Sequence, residues 1–132
     1  MSYKLEKLPN EPITIYTTIE FDINELPKSD QALLDLLSKQ SEMVYHIADM
    51  GSLKLNLDEL MQVAGHVAFG KDATFRHPTF TRMVRELILI TDDPSLALSG
   101  EALNSDIYGN LPVRIFNSRD LALSYIRAKL QE

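Results

Sequence analysis

The 132-residue chain contains no cysteine. A disulfide framework, a thiolate metal site and a cysteine nucleophile are therefore excluded. Long apolar runs are missing too, and nothing approaches the ~20 consecutive apolar residues that a bilayer-spanning helix needs. The opening MSYKLEKLPNEP lacks the apolar core of a signal peptide, so a cytoplasmic location is the expectation. Positive charge is sparse: 13 basic residues stand against 19 acidic ones, for a net charge of −6. The nearest approach to a basic cluster is Lys71, Arg76, Arg82 and Arg85. That is too thin for phosphate-driven nucleic-acid binding. The five glycines are isolated, which leaves no glycine-rich phosphate loop, and no G-x-S-x-G nucleophile elbow occurs.

What remains is an ordinary globular composition, 45% hydrophobic and 24% charged, in a length suited to a single domain spanning residues 1–132. The stretch MVYHIADMGSLKLNLDELMQVA, Met43 to Ala64, organises the reading. An apolar run from Val44 to Ala48 ends at Asp49 and turns through Gly51 and Ser52, and a helix opens at Asn56. A buried strand leading through a loop into a helix is half of a βαβ unit. Asn56 with Glu59 resembles a capping box, with Asn in place of Ser or Thr. Leu57, Leu60, Met61, Ala64, Val67 and Ala68 then follow at helical spacing, toward Gly70.

The remaining segments fall around this unit. Residues Ile13 to Ile23 alternate apolar and polar, the mark of a half-buried strand. Tyr3 to Leu8 pairs with it across the turn Pro9-Asn10-Glu11-Pro12. Pro27 breaks the chain before a helix over Gln31–Lys39, capped by Ser29 or Asp30. Lys71 to Phe80 reads as an irregular connection. Val84 to Thr91 is apolar on both faces, as a central parallel strand covered by helices would be. A weaker helical segment spans Ser95 to Ser105, a last strand spans Val113 to Phe116, and Ser118 caps a final helix. The expected fold is α/β: a mixed, mostly parallel sheet with helices packed on it and the first strand at an edge or antiparallel. Sites in such folds gather at the carboxyl ends of the strands. Here these are Asp49–Ser52, Thr91–Asp93 and Asn117–Ser118.

Three landmarks, the strand-turn IADMGSL, the strand LILITDD and the closing YGNLPVRIFNSRDLALSYI, together resemble the STAS superfamily. This is the fold of SpoIIAA-like anti-sigma-factor antagonists and of the cytosolic domains of some anion transporters. The resemblance covers most of the chain and rests on pattern and element order. It implies a domain that works by binding. It also implies a phosphorylatable Ser or Thr at the start of the helix after the second core strand. The matching stretch here, Leu57-Asp58-Glu59-Leu60, has no hydroxyl, which argues against a kinase-switched antagonist. Asp58 falls near the acceptor position, where a carboxylate can mimic a phosphoserine; Asp in a first helical turn is also ordinary stabilisation of the helix dipole. Ser52, earlier in the loop, is a weaker substitute.

Two other groupings carry chemical content. Asp92 and Asp93, joined by Asp49 from the neighbouring strand, would form a three-carboxylate pocket able to hold Mg²⁺. The plainer reading is that Asp-Asp-Pro ends a strand and caps the next helix. His46, His66 and His77 have no metal-ligand spacing. In Phe69–Phe80, the aromatics Phe75 and Phe80 beside Arg76 suit a partner, an acidic ligand or a lipid head group, or a dimer contact. More often such aromatics pin a connection to the core. The leading expectation is a non-catalytic binding or regulatory module with no cofactor, engaging a protein partner or a small ligand through Asp49, Ser52, Asp58, Phe75, Arg76, Phe80, Asp92 and Asp93. The alternatives are a receiver-like phosphoacceptor or Mg-dependent enzyme using the acidic pocket, and lipid binding of the Sec14 type, which rests on fold analogy.

Overall fold

The computed structural model describes residues 3–51, 53–64, 77–102 and 112–132. Five strands form one sheet in the order β1-β2-β3-β4-β5: β1 (Tyr3–Lys7), β2 (Ile13–Thr18), β3 (Val44–Gly51), β4 (Val84–Thr91) and β5 (Val113–Phe116). β1 runs antiparallel to β2, and every other pair is parallel. The α/β reading therefore holds, with the antiparallel strand at an edge. Five helices accompany them among the described residues: α1 (Leu26–Ser38), α2 (Leu57–Ala64), α3 (Pro78–Met83), α4 (Pro94–Ala102) and α5 (Arg119–Leu130). No helix among the described residues is long and apolar enough to cross a membrane.

Parallel neighbours in sequential order need crossovers of one hand, and right-handed crossovers place their helices on one face. The packing agrees. Leu33 and Leu37 of α1 and Phe80 of α3 join Val44 and Val84 in one buried cluster. Gly100 of α4 brings that helix so close that an added Cβ would stand 2.6 Å from Leu89 Cδ2. Among the described residues the opposite face is left to α5, whose Ala122 and Ile126 pack on Ile13, Ile15, Tyr45, Ile47, Ile88 and Ile90.

Several boundaries move from their expected places. Pro27 lies inside the first turn of α1, and Pro78 opens α3 within what reads as an irregular connection. Proline is at home there because a first-turn N–H has no intrahelical partner to lose. β2 ends at Thr18, and Ile19 beyond it is exposed. β2 is also buried on both faces, since Thr14 is as inaccessible as Ile13 and Ile15. β3 runs on through Asp49 to Gly51. Gly51 sits at φ 55°, a left-handed conformation that suits glycine. Phe80, expected among binding residues, is fully buried and meets His46 edge-on at 6.3 Å between ring centres. It belongs to the core, where a large apolar ring gains most. Phe80→Ala should lower the unfolding free energy by about 3–5 kcal/mol, measured by urea denaturation; a loss below about 1 kcal/mol would show that the α1–α3 layer does not depend on it.

Candidate functional site

The carboxyl ends of β2 and β3 meet the start of α5. Ser118 caps that helix by accepting a bond from Leu121 N, which sets Arg119 at its first position over the strand ends. The Arg119 guanidinium donates to Asp49 Oδ2 from Nε at 3.0 Å and from Nη2 at 2.8 Å. Nη2 also donates to Thr17 Oγ1 at 3.0 Å. The other Asp49 oxygen accepts from Gly51 N at 2.9 Å. Both carboxylate oxygens are thus engaged, and the side chain is largely covered. Asp49 joins β2, β3 and α5.

The acidic pair after β4 is used differently. Asp93 is buried; its N–H donates to Thr91 Oγ1, and its Oδ1 accepts from Ser95 N at the head of α4. These are the bonds of a strand end and a helix cap. Asp92 is exposed, and its N–H reaches Gly51 O at 3.3 Å. No group of three His, Asp or Glu side chains suited to a metal ion occurs among the described residues. Asp49, Asp92 and Asp93 are not brought together as such a pocket.

At α2 the capping box forms in both directions: Glu59 N donates to Asn56 Oδ1 and Asn56 N to Glu59 Oε1, at 2.8 and 3.0 Å. Asp58 stands exposed beside it, and Gln62 reaches its Oδ2 at 3.3 Å. The outer face of this short helix is unusual for its apolar content. Leu57 and Met61, one turn apart, are 74% and 66% exposed, and Leu98 on the adjoining α4 is 69% exposed. Ser52, Phe75, Arg76, Lys71 and His66 lie outside the described residues.

Two further polar arrangements carry little local signal in the sequence. His46 on β3 is buried beneath α1 and α3, with its Nδ1 2.8 Å from Thr14 Oγ1 of β2. Burial pushes its pKa down from 6.5 to about 4. On the other face, Tyr125 of α5 donates to Glu86 Oε1 at 2.7 Å, while Arg114 donates to Glu86 Oε2 and lies over the Tyr125 ring. Burial, then the bond to Glu86, pushes the Tyr125 phenol up to about 12.

No protein-family model, curated protein or solved structure matches the chain.

The buried imidazole makes stability depend on pH. The unfolded chain takes up a proton near pH 6.5, but the folded chain resists it until about pH 4. Stability supplied by neutral His46 is therefore complete above about pH 6.5 and is lost as pH falls toward 4. The loss should total on the order of 3 kcal/mol. Denaturant titrations at pH 7 and pH 4.5 on wild type and His46→Leu measure it. The variant, weakened at neutral pH by its unpaired Thr14 hydroxyl, should lose distinctly less between the two pH values.

Proposed function

We propose that this chain is a non-catalytic binding module of the STAS/SpoIIAA type, and that its partner is a protein engaged over the outer faces of α2 and α4. One observation carries the reading: the exposure of Leu57, Met61 and Leu98 on two helices that pack together. A surface helix ordinarily turns polar residues outward. α2 instead has apolar residues on both sides, with Leu60 and Val63 half-buried and Leu57 and Met61 in solvent. Clustered exposed apolar side chains are a common mark of an interaction surface.

The surroundings indicate the chemistry of the partner. Among the described residues, Asp58, Asp92 and Glu101 are exposed on or next to these helices, against one exposed base, Lys54. A partner with an apolar ridge flanked by Lys or Arg would complement them. The sheet order and the helix position support the resemblance to anti-sigma-factor antagonists. Without a hydroxyl at Leu57–Leu60, association here is independent of phosphorylation at the helix start, and Asp58 supplies a constant negative charge instead.

The test is a double substitution, Leu57→Ser with Met61→Ser. Both side chains are exposed, so folding stability should change by no more than about 0.5 kcal/mol. A protein captured by the immobilised wild-type chain, then purified and titrated, should bind the variant at least about tenfold more weakly. Salt should weaken the wild-type complex. Equal affinity for the two chains would overturn the proposal.

A further inference from the structure

β1 is the outermost strand, paired with β2 on one side and with no other strand among the described residues. One contact fixes the phase of its backbone bonds. Leu8 N donates to Ile13 O at 3.0 Å, and the register of Tyr3 with Thr18 through Lys7 with Thr14 sets those two residues opposite each other. In an antiparallel ladder, facing residues alternate between pairs that exchange both backbone bonds and pairs that exchange none. Lys4, Glu6 and Leu8 therefore turn their N–H and C=O groups toward β2. Tyr3, Leu5 and Lys7 turn theirs to the open edge. An edge of this kind is a template for another strand.

The side chains along the edge are complementary to themselves. Lys4 and Glu6 flank Leu5 on one face; their mutual contact is loose, at 3.7 Å, with 65% and 32% of the side chains exposed. When a second copy is laid antiparallel and centred on Leu5, the outward-turned residues meet as Leu5 with Leu5 and Tyr3 with Lys7. These are the bonding pairs, and they supply about six backbone hydrogen bonds. The same register sets Lys4 opposite Glu6 of the other copy, twice. Both pairs fall at non-bonded positions, where facing side chains approach most closely. The neighbouring registers fail. A shift of one residue breaks the bond phase, and a shift of two sets Lys4 against Lys4 or Glu6 against Glu6.

We infer that two copies of this chain associate through their β1 edges in the antiparallel register centred on Leu5, joining two sheets into one. The contact is isologous, as two-fold dimers require, and it satisfies the edge that would otherwise recruit other strands. α4 packs on β4 and β5, at the far side of the sheet, so the dimer displays the α2–α4 face twice. The inference does not rest on that face having a partner.

Sedimentation equilibrium of the purified chain, from about 10 μM to about 1 mM, tests it with Lys4→Glu, Glu6→Lys and an equimolar mixture of the two. Wild type should dimerise. Each variant alone sets like charges opposite in both pairs and should weaken association about tenfold or more. In the mixture each acidic strand faces a basic one, so wild-type affinity should return. Circular dichroism checks that the variants fold. As a measure independent of substitution, hydrogen exchange at the outward Leu5 amide should slow as wild-type concentration rises. A wild-type monomer throughout the range overturns the inference. So does a dimer indifferent to both substitutions, a mixture no tighter than its separate components, or a Leu5 amide whose exchange ignores concentration.

Discussion

Among the described residues, one helix covers an entire face of the sheet, and the structure depends on how it is held there. Sequential strand order with right-handed crossovers sends α1 through α4 to the other side. Without α5, the isoleucines of β2, β3 and β4 would face water, each at a cost of about 1.5–3 kcal/mol. Ala122 and Ile126 supply the apolar seat. The polar ties then fix direction and register. Arg119 reaches Asp49 and Thr17, Tyr125 reaches Glu86, and Arg127 forks onto Glu11 beside the β1–β2 turn. Each tie joins the helix to a different segment, so α5 cannot slide or rotate without breaking several at once.

This use of charge bears directly on function. Of the three carboxylates that look chemically promising at the strand ends, Asp49 and Asp93 are engaged in holding the fold. Asp49 anchors the helix that closes the open face, and Asp93 caps α4. Among the described residues, two other surfaces stand open: the apolar outer side of α2 and α4, and the backbone edge of β1. The binding reading and the dimer proposed above each use one of them. They sit at opposite sides of the sheet, so one can be occupied without obstructing the other.

Much of the architecture is legible in the sequence because it depends on local period and capping. The two-sided apolar run of β4, the Asn56–Glu59 box and the Ser118 cap all identify their elements directly. The prolines mislead: Pro27 and Pro78 read as breaks, but the same missing N–H that breaks a helix is harmless in its first turn. Thr14 misleads for another reason. In a period-two pattern a polar residue reads as facing water, yet its hydroxyl pairs with His46, and α1 and α3 bury both. Phe80 gives no sign of which side of its connection it occupies until α3 docks. The Asp49–Arg119 pair is beyond local reading altogether, since its members lie 70 residues apart and meet only when α5 closes on the sheet.

A double-mutant cycle across that pair, Asp49→Ala and Arg119→Ala singly and together, tests most directly whether α5 is held as described. Arg119→Ala leaves the largely covered Asp49 carboxylate without its fork, and Asp49→Ala leaves a partly exposed guanidinium without its acceptor. The account predicts that the two losses of unfolding free energy do not add, with a coupling of about 1–2 kcal/mol. Discounting for the partial exposure of Arg119, the lower end of that range is expected. Strictly additive losses would mean that Asp49 and Arg119 act apart, and that the helix is held on the sheet by its apolar seat alone.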